Sequence, residues 1–308
     1  MDETGEASYA GQPFEVIVVG GGFAGTAAAI NLARANRTVC LIDAGEPRNR
    51  NSDHMHGVIG LDGESPRELL SRGHSECLAY GGTLVEGRVS SLQRTAAEGW
   101  SVELESGERV TGSQVLVATG ITDRLPQVPG LREMWGQRVF HCPYCHGYEV
   151  NGKSIGVVGG ENPGFTTRIS TLLTKWADSV TLHVNGMDLT TEQRDRLLDC
   201  GVQLSYDEVV QVSPDPTESL AVEMVTASGA VRYGTCFTGP EFLPNDHLLR
   251  QAGCAVADGW VQTAGGKTSE PGLWAVGNVV SSPDQVSQAL GSGAGVAIAI
   301  DQYLFDRG

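Results

Sequence analysis

The sequence predicts an α/β chain of two three-layer domains, the second inserted into the first, and three observations carry that prediction. A short β-branched strand running into a glycine cluster and then a helix opens the chain at residues 14–34. A second strand–glycine–helix start stands mid-chain at residues 153–165. Two short strands that end in small-residue turns, at 114–120 and 272–279, bracket that second start as the halves of a split domain would.

Residues 1–13 are acidic and polar, lack the basic and apolar regions of a signal peptide, and read as a loose tail. Phe14-Glu-Val-Ile-Val-Val then suits a buried parallel strand. Gly20, Gly22 and Gly25 fit Gly-x-Gly-x-x-Gly between that strand and the helix-forming run from Thr26 to Arg34. In such a motif the first glycine permits a tight turn and the second lets backbone approach a pyrophosphate. The third lets helix and strand pack closely, with the phosphates at the positive end of the helix. The next strand, Thr38 to Ile42, ends in Asp43, placed to accept hydrogen bonds from a ribose. A lone glycine motif is equally a glycine-rich turn. Strand, motif, helix, strand and acid in that order favour Rossmann-like dinucleotide binding.

Residues 45–63 form a polar loop with Arg48, Asn49, Arg50, His54, His56 and Asp62, expected to line or cover the nucleotide. Its two histidines lack a third ligand and make a poor metal site. Residues 64–80 read as a helix with Leu69, Leu70, Cys77 and Leu78 on its apolar side. Alternating stretches between 82 and 116 suggest a small antiparallel meander, followed by the buried strand of residues 114–120. Prolines at 126, 129, 240 and 244 mark the break points. They divide the chain into residues 14–122 with 243–308, and an inserted domain of residues 123–242.

Composition narrows the function classes. A formal net charge of −16 argues against nucleic acid, whose phosphates draw affinity from lysine and arginine, and disfavours an acidic protein partner. No apolar run is long enough to span a bilayer, the longest lying near residues 293–300. Seven cysteines, an odd count, form no dense secreted framework, so a cytoplasmic protein is expected.

Two of them organise the chemistry. His141-Cys142-Pro143-Tyr144-Cys145-His146 places two thiols three positions apart with a histidine on each side. Such a pair closes into a readily reduced disulfide, and a nearby imidazole favours the reactive thiolate. Half of a zinc site ranks second, since a closed structural site needs four ligands and no second Cys-x-x-Cys exists. No metal is therefore expected. Cys40, Cys77, Cys200, Cys236 and Cys254 are assigned to packing.

Together these residues resemble the low-molecular-weight thioredoxin reductase family of flavoproteins over essentially the whole chain. The resemblance rests on Gly20 to Gly25, Ala118-Thr119-Gly120, the Cys142/Cys145 pair and Gly277-Asn278-Val279, in order and spacing. It implies FAD held by Gly20, Gly22, Gly25, Asp43, Ala118, Thr119, Gly120, Gly277, Asn278, Gln288 and Ala289. It also implies a nicotinamide-type inserted domain and a homodimer. In the family the position of Asn278 is usually aspartate and contacts the ribityl chain.

Departures from the family are informative. The second nucleotide motif reads Gly159-Gly160-Glu161-Asn162-Pro163-Gly164, with a carboxylate where backbone should meet a diphosphate. His183-Val184-Asn185-Gly186 stands where reductases carry an arginine pair that grips the 2′-phosphate. The string Cys-Pro-Tyr-Cys-His-Gly-Tyr-Glu resembles the dithiol oxidase branch, enzymes of holomycin and gliotoxin type that close the disulfide of small natural products. That branch implies a small-molecule dithiol as substrate and O2 as acceptor. Cys142 would be the cysteine attacked, Cys145 the one nearer the flavin, and His146, before His141, the base. A reductase fed by NADPH or another donor, and a flavin-bound redox sensor, remain as alternatives.

Overall fold

The computed structural model describes residues 13–96 and 98–307; apart from Pro13, the expected tail lies outside them. Two compact units divide the chain. One comprises the residues up to Arg50, Gly57–Thr122 and those from Pro244 on; the other comprises Asn51–His56 and Asp123–Leu243.

The first unit begins with β1 (Phe14–Val19), α1 (Phe23–Arg34), β2 (Val39–Asp43), α2 (Pro66–Ala79), β3 (Thr83–Glu86), β4 (Val89–Arg94), β5 (Trp100–Leu104) and β6 (Arg109–Val117). Its sheet runs β3-β2-β1-β6-β5-β4. Successive strand residues point to opposite faces, and both faces are covered. Ile17, Val19, Cys40, Ile42, Val115 and Val117 enter one core, while Val16, Val18, Val39, Leu41 and Leu116 enter the other. This two-sided burial explains why these strands read as unbroken apolar runs.

Three expectations are corrected. Thr83–Glu86 pairs in parallel with β2 and extends the parallel sheet, so the antiparallel meander is β4-β5-β6 alone. The separate stretches expected at 107–110 and 114–120 belong largely to one nine-residue strand, β6, which serves the meander at one end and β1 at the other. On α2, Leu70 and Cys77 are buried but Leu78 is 49% exposed.

β7 (Ile121–Arg124) leads into the second unit: β8 (Val139–Phe140), α3 (Pro143–His146), β9 (Ser154–Val158), α4 (Pro163–Leu173), β10 (Ser179–His183), α5 (Thr191–Asp199), β11 (Gln203–Ser205), β12 (Val209–Pro214), β13 (Val222–Thr226), β14 (Gly229–Tyr233) and β15 (Thr235–Thr238). A parallel sheet, β11-β10-β9-β15-β8, is its middle layer. Ile155, Val157, Leu182 and Phe237 pack with Ile169 and Leu173 of α4 on one side. Val139, Val158 and Cys236 pack on the other side with Val212, Val222 and Met224 of the antiparallel β12-β13-β14 layer.

β16 (Glu241–Pro244) pairs with β7 as the chain returns. The first unit is then completed by α6 (His247–Gln251), the hairpin of β17 (Val256–Ala257) and β18 (Trp260–Val261), β19 (Leu273–Ala275) beside β6, and α7 (Val286–Phe305). Among the described residues no helix is long and apolar enough to cross a membrane.

Candidate active site

In the first unit the glycine motif forms a cradle at the end of β1. Gly20 has φ +106°, and a Cβ there would come within 2.6 Å of the Ala118 carbonyl oxygen. A Cβ on Gly25 would overlap the Gly20 carbonyl, so helix and turn close up only around glycine. Gly22 faces open space and N-caps α1 without a side-chain cap. The first-turn N–H groups of α1 are thus left without a side-chain acceptor, as a diphosphate requires. Asp43 Oδ1 accepts from Gly21 N–H at 3.0 Å, which holds the carboxylate beside the motif.

The other residues expected to hold FAD are placed by their neighbours. Thr119 Oγ1 donates to the Asn245 carbonyl at 2.7 Å, Asn245 Nδ2 donates to the Thr119 carbonyl at 2.9 Å, and Asn245 N–H donates to the Gly120 carbonyl at 3.0 Å. Gly277 and Asn278 open a 3-10 turn, and Asn278 Oδ1 accepts from Asp284 N–H at 2.8 Å. Gln288 Oε1 accepts from Gln285 N–H at 2.9 Å at the start of α7, and Ala289 packs against the core. Sequence reasoning missed Asn245, whose only signal is its place just after Pro244. It also missed His74, whose ring nitrogen lies 3.0 Å from the Gly21 carbonyl.

In the second unit Cys142 and Cys145 form a disulfide across the single turn α3, with Cα atoms 5.3 Å apart. Pro143 starts the turn, and the N–H groups of Cys145 and His146 both donate to the Cys142 carbonyl. The two histidines differ. His141 stacks on Trp135 at 5.4 Å and meets Phe242 edge-on. His146 stacks on Phe140 at 4.0 Å, and its Nδ1 is shielded from solvent with no hydrogen-bond partner. Burial first, and then the nearby His56, push its pKa down to about 4, against an opposing contact with the Cys142 carbonyl. Burial thus favours the neutral form of His146 near pH 7, which makes its ring a weak proton acceptor. His56 groups with this second unit and pairs with Glu149 at 3.4 Å, a placement its position in a polar loop did not announce.

The second nucleotide motif is occupied by its own chain. Asn162 caps α4 through Phe165 N–H at 3.1 Å, and Pro163, at N1, has no N–H to offer. Asn185 Nδ2 donates to the Gly159 carbonyl at 3.2 Å, and its Oδ1 accepts from Val209 N–H at 3.0 Å. Gly160 lies beneath Pro126, 2.5 Å from where a Cβ would stand. These residues do not fit a dinucleotide diphosphate, and Glu161 adds an exposed carboxylate.

Of the other cysteines, Cys40, Cys77, Cys236 and Cys254 are buried, and burial pushes Cys40 and Cys236 up to about 12. Cys200 is exposed, which corrects its expected packing role: it caps the C-terminus of α5, beyond the helix's buried Leu197. Among the described residues no group of three or more His, Cys, Asp or Glu side chains comes together as a metal site would.

Comparison with known proteins places this geometry. Residues 14–293 match the family described as pyridine nucleotide-disulphide oxidoreductase. Thioredoxin reductase aclD of Aspergillus oryzae is 28% identical over 314 residues, covering 96% of this chain and 98% of its own. Thioredoxin reductase tcpT of Claviceps purpurea is 33% identical over 178 residues, so the match spans about half of each chain, 56%. The crystal structure of HlmI superimposes with a TM-score of 0.90 at 38% identity, over 96% of this chain and 93% of that one. An oxidoreductase from Agrobacterium tumefaciens gives a TM-score of 0.87 at 32% identity, over 96% and 100%. The chain belongs to the pyridine nucleotide-disulphide oxidoreductase family, as a thioredoxin-reductase-like, FAD-binding oxidoreductase that works by disulfide chemistry.

Proposed function

We propose that the protein is an FAD-dependent dithiol oxidase that closes an intramolecular disulfide in a small-molecule dithiol, with O2 as acceptor and H2O2 as product. The observation that carries this reading is the second nucleotide motif, where Asn162 takes up the Phe165 N–H and Pro163 has none, so two of the first N–H positions of α4 are withdrawn from a diphosphate. Electrons then enter through thiols. One substrate thiolate attacks Cys142 Sγ, the Cys142–Cys145 bond breaks, and Cys145 leaves as thiolate. The second substrate thiolate attacks the substrate sulfur of that mixed disulfide, forming the product and releasing Cys142. His141 takes up thiol protons, while His146 stays neutral beside the turn. The Gly20–Gly25 cradle, Asp43, the Thr119–Gly120 turn and Asn278 would hold FAD, which would supply a two-electron acceptor for the reduced cysteine pair. Overall, one dithiol and one O2 give one disulfide and one H2O2.

The test is an anaerobic titration of the yellow protein with NADPH, then dithiothreitol, then air. Bleaching only by the dithiol, with peroxide on re-aeration, is expected, and Cys142→Ser or Cys145→Ser should reduce turnover to the blank. Bleaching by NADPH would establish the second reading, a thioredoxin reductase, which the names of aclD and tcpT favour. We further place the protein in the cytoplasm as a homodimer, the latter checked by light scattering.

A further inference from the structure

The disulfide turn carries an aromatic surface that thiol exchange does not itself require. Tyr144 lies between the two cysteines and is 60% exposed. Its ring meets Trp176 edge to face, with centroids 6.2 Å apart and planes at 89°. Trp176 is seated on the same turn by Gly147, where a Cβ would come within 2.8 Å of the indole. Lys175 Nζ lies 5.8 Å from the indole centroid. Tyr148, four residues beyond Tyr144, is 82% exposed. Aromatic rings left in water beside a reactive group mark a binding surface, because they gain from being covered.

We propose that Tyr144 and Trp176 form a stacking ledge that selects, among small dithiols, those whose thiols are carried on a flat unsaturated ring. This rests on the dithiol exchange proposed above. Tyr144 stands inside the Cys-x-x-Cys loop, so its exposed ring belongs to the same turn as both sulfurs. Ring pairs that stack or meet edge-on gain about 2- to 10-fold in affinity over area burial alone. An aliphatic dithiol of equal length gains only the burial. A chain of net charge −16 offers no attraction to an acidic protein or to an anionic small molecule.

The test separates the ledge from turnover. Calorimetry on the Cys142→Ser/Cys145→Ser double variant compares two cyclic disulfides, ortho-xylylene disulfide and its saturated counterpart made from 1,2-bis(mercaptomethyl)cyclohexane. Both have the same number of carbons between the sulfurs. The aromatic compound should bind about 10-fold tighter. Tyr144→Leu in that background should remove most of the difference, and Tyr144→Phe, which keeps the ring, should retain it. Equal binding of the two compounds, or a preference untouched by Tyr144→Leu, overturns the ledge whatever the oxygen electrode reads. A protein dithiol oxidised faster by the parent enzyme than either small dithiol also overturns it. A ring preference without dithiol-dependent oxygen uptake keeps the ledge and sinks the oxidase reading instead.

Discussion

His146 stands directly after Cys145, but its surroundings set what it does. Its folded pKa of about 4 lies below the ordinary value of 6.5, so between those values the unfolded chain binds a proton that the fold resists. The resulting stability is complete above pH 6.5 and is lost as pH falls toward 4. His183, buried against Tyr233 at 2.8 Å and also lowered, acts in the same direction. Urea denaturation near pH 7 and about pH 4.5 should show the wild type losing on the order of 2 kcal/mol more than His146→Phe, which keeps the stack on Phe140 without a titrating nitrogen. Equal losses would mean that the ring charges freely in the fold. The Cys142/Cys145 pair was legible because its chemistry is local in sequence. The low proton affinity of His146 was not, since Phe140 and His56 act on it through space.

α1 and α4 follow nearly the same local recipe, a strand, glycines and a helix, but end differently at their N-termini. α1 has no side-chain cap, whereas α4 is capped by Asn162 and begins with a proline. Glycine count showed the similarity; the hydrogen bonds show the difference. Glu161 drew attention in the sequence as the intruding charge, but it is exposed, whereas Asn162 and Pro163 act on the helix N-terminus itself. Glu161→Gly alone should therefore leave NADPH unable to bleach the flavin. Asn162→Ala should cost about 1 kcal/mol of stability in thermal denaturation, the usual value of such a cap. Bleaching by NADPH in Glu161→Gly would show instead that the carboxylate alone guards the site. Strand type was less legible than strand existence. Thr83–Glu86 looks like the start of a meander because short alternating runs do not reveal the direction of their partner.

The inserted arrangement of the whole molecule was readable because two strand–glycine–helix starts and two matching strand ends repeat in order. What could not be read is the grouping of Asn51–His56 with the second unit, since the chain passes there inside what reads as one loop. Net charge also belongs to this scale, and it makes a prediction that no single residue makes. At −16 the molecule repels anions over about a Debye length, roughly 30 Å at low salt and 8 Å at physiological salt. An uncharged dithiol feels no such field, so its oxidation rate should stay flat as ionic strength is raised with sodium chloride. Dihydrolipoate, a carboxylate-bearing dithiol, should react slowly at low salt and severalfold faster as screening grows, by oxygen uptake at fixed pH. If its rate fell with salt instead, positive charge around the disulfide turn, Lys175 first among it, would outweigh the acidity of the whole chain.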